Sequence, residues 1–527
     1  MKRIAIYDTT LRDGAQGEGI SFSGAGKIRV AKCLDEFGVD YIEGGFAASN
    51  PKDMEFFREI KKEQLKHAKI AAFGSTRRAN IPVGEDVGVR AMFEADTPVV
   101  TFFGKSWLLH VTEVLKTTAE ENLKMVADTV RIFKERGKEV VYDAEHFFDG
   151  FKDHREYALS TLRAARDAGA DVLVLCDTNG GTLPHEIFAI TQEVAREVGP
   201  NVGIHTHNDS EVAVANSLEA VRAGAMHIQG TINGFGERAG NANLCAIVPN
   251  LMLKMNLSCL REGGLNQLRE VSLFVDDMAN VRPNRKMAFV GDSAFAHKAG
   301  MHVNAVQKVS KSFEHIEPEL VGNKRRILIS ELSGSSNILM KAVELGFNVD
   351  KSSPEVKEIL KELERLEKQG YEFESAEASF KMLVQKVLKA HKPFFNLEGF
   401  SVIVQKSAKD QPSVSYATIK LSVNGESELT AGEGDGPVDA LNQALRKALT
   451  RFYPQIEGVS LTDYRVRILD PEESTAAKTQ VLIESTDGHN TWGTVGVSGN
   501  IIEASWEALV DSVEYKLFLE EQKKKKS

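Results

Sequence analysis

Ile4-Ala5-Ile6-Tyr7-Asp8-Thr9-Thr10-Leu11-Arg12-Asp13-Gly14 opens with an apolar run that stops abruptly at polar residues. Ile4–Asp8 reads as a β-strand, and the polar cluster behind it reads as a strand end that carries chemistry. The same pattern recurs downstream. Further candidate strands are Tyr41–Gly45, Ile70–Phe73, Val99–Phe103, Val140–Ala144, Val172–Cys176, Val202–Thr206 and His227–Thr231. Helical patterns separate them at Ala25–Phe37, Pro51–Gln64, Ala119–Arg136, His154–Ala168, Leu183–Val198 and Glu211–Ala223, several closing on glycine as helix C-termini do. Eight strands alternating with helices over about 230 residues is the count and size of a (β/α)8 TIM barrel. A doubly wound open sheet competes, but no Gly-x-Gly-x-x-Gly follows the first strand. The class is therefore α/β, with the barrel over residues 1–275.

Two further segments follow. Residues 276–395 turn largely helical: Lys351–Lys368 carries an apolar stripe of Val356, Ile359, Leu360, Leu363 and Leu366, and Ser375–Ala390 repeats the spacing with Phe380, Leu383 and Val387. This is expected to be a helical arm, or linker subdomain, outside the barrel. Residues 396–527 read as an α+β domain, with strands at Phe400–Val404, Ser415–Val423, Arg465–Ile468 and Gln480–Ser485. Gly425 and Gly436 match Gly488 and Gly499 at an offset of 63, and the helices Val438–Leu449 and Ile502–Leu517 align similarly. An internal repeat of strand-rich units, each closed by a helix, points to a pseudo-symmetric domain. Gly434-Asp435-Gly436-Pro437 and Ser498-Gly499-Asn500 precede helix N-termini, which can hold a carboxylate.

Bulk properties narrow the function classes. At 527 residues the chain is too long for one ordinary domain. It is 42% apolar and 27% charged, the balance of a globular protein. A net charge of −10 argues against nucleic acid, and no apolar run reaches the roughly 18 residues that span a bilayer. The N-terminus enters a strand directly, without signal-peptide character. Cys33, Cys176, Cys245 and Cys259 have no paired spacing, which fits a reduced cytoplasmic protein. The terminal Lys523–Lys526 run reads as a solvated end.

In this barrel type, chemistry gathers at the C-terminal ends of the strands. Arg12 and Asp13 follow strand 1, and Glu43 ends strand 2. Tyr142 and Glu145 end strand 5, and Asp177, Thr178 and Asn179 follow strand 6. His205 and His207 end strand 7, and Asn241 follows strand 8. Each alone reads as a cap or an ion pair; convergence from six strand ends does not. Histidines at i and i+2 share one face of a strand. With Asp13 they supply two imidazoles and a carboxylate for a divalent metal ion, and Asn241 offers a fourth ligand. Zinc, manganese and magnesium all remain open. Arg12 adds positive charge beside a developing oxyanion, and Thr178 can donate to a substrate carboxylate.

These motifs resemble the metal-dependent superfamily marked by an Asp-Arg-Glu set and His-x-His on a TIM barrel: here Asp13, Arg12 and Glu43 with His205 and His207. Within it the whole chain resembles the 2-isopropylmalate, homocitrate and citramalate synthases. His297-Lys298-Ala299-Gly300-Met301-His302 resembles their stretch with a catalytic histidine. Gly322-Asn323-Lys324 with Leu332–Asn337 resembles their subdomain, and the last 130 or so residues their amino-acid-sensing domain. Ala15 stands where isopropylmalate synthases typically have Glu. Asp13–Phe22, Glu43–Phe46, Ser49–Asp53 and Phe102–Trp107 look like the citramalate synthase lineage. The resemblance implies condensation of acetyl-CoA, as co-substrate, with pyruvate, followed by thioester hydrolysis. It implies Arg12, Glu43, Tyr142 and Thr178 as substrate-binding residues, Arg12 as catalytic, and Glu145 or His302 as base or relay. It also implies a homodimer with His302 acting on the partner's site, and isoleucine as allosteric effector. Phe102, Trp107 and Leu108 are expected to narrow the acceptor pocket. Competing readings are a 2-isopropylmalate synthase using 2-oxoisovalerate, a lyase of the same superfamily, and an inactive amino-acid sensor. The first differs in its oxo acid, the arm with His302 argues against the second, and the complete polar set argues against the third.

Overall fold

The computed structural model describes every residue except 1–2, 50, 262, 298–301, 303–304, 307, 329–353, 389–391, 407–408, 410–411, 470–476 and 527. It divides into two compact units, residues 1–295 with 315–326, and residues 296–314 with 327–527.

In the first unit β1 (Ala5–Asp8), β2 (Tyr41–Phe46), β3 (Lys69–Ser75), β4 (Val99–Lys105), β5 (Glu139–Glu145), β6 (Val172–Asp177), β7 (Val202–Thr206) and β8 (His227–Gly230) form a closed parallel barrel. β1 pairs with both β2 and β8, so no edge is left open. Helices α1 (Gly24–Phe37), α2 (Pro51–Ile60), α3 (Val87–Ala95), α4 (Ala119–Lys134), α5 (Phe147–Asp167), α6 (Pro184–Val198) and α7 (Ala213–Ala223) make the connections, and α8 (Leu244–Pro249) and α9 (Leu268–Met278) follow. The expected barrel is present. Helix α3 is an addition, started by Asp86, whose carboxylate accepts from Gly88 and Val89 N–H. Helix α5 starts seven residues before the expected His154, which marks a kink inside it. The barrel unit also runs past residue 275, which falls within α9.

Two apolar layers fill this unit. Tyr7, Ala71, Val99, Val141, Val174 and Cys176 pack inside the barrel. Val100, Phe102, Val140, Tyr142 and Leu175, on alternate positions of the same strands, pack outward among the helices.

The second unit holds α10 (Pro354–Lys368) and α11 (Glu377–Val387), then two copies of one module. The first copy is the antiparallel sheet β9 (Asn396–Gln405), β10 (Val414–Val423), β11 (Glu426–Gly434) and helix α12 (Pro437–Thr450). The second is β12 (Ser460–Ile468), β13 (Thr479–Thr486), β14 (Thr491–Ser498) and α13 (Ile501–Lys526). The repeat is thus a full duplication, and Ile419, Leu441, Leu445, Val481, Ile483, Ala508 and Leu509 share one core. Asn424 and Gly425, both at positive φ, make the two-residue turn between β10 and β11. Strands β11 and β14 go beyond the sequence expectation, for they are glycine-interrupted. The reason is close packing: a Cβ at Gly432 would strike the backbone of Ala440 and Ala444, and one at Gly496 that of Ala504. Phe380 and Val384 of α11 and Ile359 and Leu363 of α10 pack with Val495 and Val497 of β14.

Candidate active site and metal centre

The mouth of the barrel is a cavity of about 210 Å³ lined by side chains from strands β2 to β7 and from the loops after β1, β6, β7 and β8, including Arg12, Asp13, Asp143, Glu145, Thr178, His205, His207 and Arg238.

The alternation of β7 turns His205 and His207 to the same side, and the loop after β1 brings Asp13 against them. His205 Nε2 lies 3.1 Å from His207 Nε2 and 3.4 Å from Asp13 Oδ2. Among the described residues, these three form the one cluster with ligand geometry for a metal ion, and all are buried. Burial lowers His205 and holds His207 down to about 4, so both rings are neutral and can offer lone pairs. Burial would raise the Asp13 carboxyl, but Arg12, His205 and His207 outweigh it and keep it below its ordinary value. Asn241 is buried beside them, its Nδ2 donating to Phe235 O at 3.1 Å and its Oδ1 without a hydrogen-bond partner. Two facing ring nitrogens, a carboxylate and an orphaned amide oxygen suit a divalent cation as donors. Glycine sets this loop: Gly240 sits at φ +91, and a side chain there would overlap the Gly234 carbonyl.

Arg12 is held on three sides. Its Nε donates to Glu43, its Nη1 lies 3.3 Å from Asp13, and its guanidinium stacks 3.7 Å over the Phe73 ring. Glu43 is fully buried, and a bulge in β2 between Glu43 and Gly45 accompanies its placement. Its other oxygen accepts from Tyr7 Oη at 2.7 Å, which also bonds Thr101 Oγ1 at 2.7 Å. Glu43 thus lies beneath Arg12 rather than on the cavity wall. Burial pushes Glu43 up, against the pull of Arg12, while the guanidinium gains from Asp13 and Glu43 against its own burial.

Thr178 Oγ1 accepts the His146 N–H at 2.9 Å, and among the described residues its own proton has no acceptor. Arg238 clasps Asp209 at 2.7 and 2.9 Å and donates to Thr178 O at 2.8 Å. Glu145 ion-pairs with Lys105 of β4. Asp177 turns under its loop to accept from Thr182, and burial raises it to about 6.

The structure does not bring every expected residue here. Tyr142 is completely buried on the outer face of β5, its ring 5.9 Å from Phe102. Its neighbour Asp143 takes the inward position. Phe102 likewise points into the helical layer, and neither Trp107 nor Leu108 lines the cavity. The aromatic wall is instead Phe46, Phe73 and Phe103, with Phe73 5.6 Å from Phe46 and 5.7 Å from Phe103 between ring centroids. His302 lies in the second unit, exposed and stacked on Phe313 at 4.2 Å. Lys298–Met301, Leu332–Asn337 and Asn50 of the quoted stretches fall outside the described residues. Sequence reasoning missed Asp143, Gln229 and Lys105. The available signal was a polar residue inside an otherwise apolar strand, as in Val140–Ala144 and His227–Gly230.

Comparisons with known proteins place the chain in a family. Residues 3–275 match the HMGL-like family model, residues 289–371 the homocitrate synthase post-HMGL domain-like model, and residues 374–517 the LeuA allosteric (dimerisation) domain. The chain is 53% identical to an (R)-citramalate synthase of Geobacter sulfurreducens and 54% to one of Aquifex aeolicus, each over 99% of both chains. A 2-isopropylmalate synthase of Methanocaldococcus jannaschii is 32% identical, over 97% of this chain and 94% of that protein. The chain therefore belongs to the HMGL-like family and, within its 2-isopropylmalate, homocitrate and citramalate synthase branch, to the citramalate synthases.

Proposed function

We propose that the chain condenses acetyl-CoA with pyruvate and hydrolyses the resulting thioester, releasing (R)-citramalate and CoA. The full-length likeness to (R)-citramalate synthases carries this reading. Asp13, His205 and His207, with Asn241 Oδ1, are assigned to a divalent cation, zinc, manganese or magnesium, which when bound supplies Lewis-acid polarisation of the 2-oxo acid. Charge supports the assignment. Asp13, Glu145 and Glu237 line the cavity with Arg12 and Arg238, and both guanidiniums already face carboxylates, Arg12 those of Asp13 and Glu43 and Arg238 that of Asp209, an unwelcoming setting for an anionic substrate without added positive charge.

Arg12 neutralises the alkoxide that forms as the new carbon–carbon bond closes, and Glu43 and Phe73 keep its guanidinium aimed. Thr178 donates its free hydroxyl proton to the pyruvate carboxylate. Glu145, or His302 of a partner subunit acting as base or relay, takes the proton from the acetyl methyl group. The enolate carbon attacks the keto carbon of pyruvate, and water cleaves the thioester with CoA as leaving thiol. Phe46, Phe73 and Phe103 bound the space left for the acceptor's side chain. Such a wall discriminates one methylene by about 1–3 kcal/mol, so slow use of 2-oxobutanoate is expected.

The duplicated modules are assigned to feedback by isoleucine, within a homodimer, on the strength of the LeuA domain match over 374–517. The turns before α12 and α13 offer helix N-termini to the effector's carboxylate. A cytoplasmic setting fits four cysteines that are all free and the absence, among the described residues, of any helix long and apolar enough to cross a membrane. The test is CoA thiol release with pyruvate, 2-oxobutanoate and 2-oxoisovalerate, with and without isoleucine, leucine and valine. The highest kcat/KM on 2-oxoisovalerate would move the chain to the 2-isopropylmalate synthases.

A further inference from the structure

His205 and His207 present the same nitrogen, Nε2, to the cation position, yet they are supported differently. His207 Nδ1 is buried without a hydrogen-bond partner. His205 Nδ1 lies 2.9 Å from Gln229 Oε1, and Gln229 Nε2 donates to Asp143 Oδ1 at 2.8 Å. All three residues are buried, and they come from three strands: His205 from β7, Gln229 from the register-paired position of β8, and Asp143 from β5. The chain of bonds therefore crosses the barrel interior.

A carboxamide has a donor end and an acceptor end. Burial and Glu43 push the Asp143 carboxyl up, yet ionised or protonated on its other oxygen it keeps an acceptor at Oδ1, 2.8 Å from Gln229 Nε2, so the amide turns its NH2 group to Asp143 and its oxygen to His205. An imidazole that faces an amide oxygen carries its proton on Nδ1 and keeps the Nε2 lone pair free. The reversed amide would place N–H groups against Nδ1, drive the proton to Nε2 and close that ligand position. We infer that Asp143 and Gln229 are positioning residues, a polarity relay in which Asp143 orients the Gln229 amide and the amide fixes His205 in its metal-ligating tautomer. The inference rests on the metal reading proposed above. Gln229 does this without adding charge, in a mouth already rich in carboxylates. His207 has no such support, so the two ligands are unequal: one ring is set before the cation arrives and the other is free to adjust.

The experiment uses the full chain stripped of metal and titrated with Co²⁺ alone against a chromogenic chelator. Gln229→Met should weaken Co²⁺ binding about 10- to 100-fold, the usual cost of losing such a partner. Gln229→Glu, which keeps an acceptor oxygen at His205, should stay within about threefold of the wild type. In the metal-free wild type, long-range ¹H–¹⁵N correlations of His205 should report a protonated Nδ1. A proton on Nε2, or Gln229→Met binding within threefold of wild type, overturns the relay. The tautomer measurement needs no variant, so it decides the matter even if Gln229→Met fails to fold. A wild-type chain that binds no Co²⁺ defeats the metal reading and the relay together. Normal wild-type binding with an unaltered Gln229→Met defeats the relay alone.

Discussion

In the barrel, the side chains that meet at the mouth are each supplied once: Asp13 and Arg12 behind β1, Glu145 from β5, Thr178 behind β6, His205 and His207 from β7 and just beyond it. In the second unit, one three-stranded sheet with its helix is built twice around a shared core. The two copies then diverge in their surroundings. In the second, β14 is covered by α10 and α11 through Val495 and Val497, whereas β10 and β11 of the first leave Tyr416 and Leu429 exposed; the edge strands of both, β9 and β12, leave Ile403, Val404, Val466 and Ile468 exposed. The barrel gains chemistry by making every strand end different, so single substitutions there should be severe. The modules gain a graded property by repetition and unequal covering, so effects there should be moderate.

The sharpest way to break this contrast is His205→Ala. It should abolish bound cation and lower kcat about a thousandfold or more, since Lewis-acid stabilisation amounts to several kcal/mol. Cation analysis with single-turnover kinetics checks it; full occupancy and normal turnover would remove the centre from this position. Arg12→Lys comes next, with kcat down about a hundredfold, because an ammonium cannot serve Glu43, Asp13 and the substrate as the guanidinium fork does. An unchanged kcat would strip Arg12 of its role.

On the modular side, isoleucine should inhibit the intact chain with a coupling of about 1–3 kcal/mol, a severalfold to hundredfold change in apparent substrate use. Removal of residues 396–527 should end that sensitivity and leave Asp13, His205 and His207 in place. It also uncovers Phe380 and Val384 of α11, so sedimentation should accompany the assay. Inhibition that survives the truncation would move the effector site elsewhere. The smallest effect concerns pH. Because burial holds free His207 at about 4 rather than 6.5, its ring is already neutral at pH 7. Cation affinity should then stay level down to about pH 6 and weaken only as protons compete near about pH 4. Loss of affinity beginning near 6.5, in chelator-competition titrations, would show rings that titrate ordinarily.

Eight strands, their polar ends, the His205/His207 pair and the duplication were all legible in the sequence. The reason is local: apolar periodicity marks each strand, an i, i+2 spacing puts both imidazoles on one face, and repeated glycines mark repeated turns. Tertiary structure decided which face is which. Strands of a closed parallel barrel are buried on both sides, so Val140–Ala144 and Val99–Phe103 carry no polar-versus-apolar alternation to show their inner face. A shift of one residue exchanges the two faces, which is why Tyr142 and Phe102 pack among helices while Asp143 and Phe103 reach the cavity. Closure alone brings Asp143 of β5 to Gln229 of β8, two residues far apart in sequence whose contact no local pattern announces.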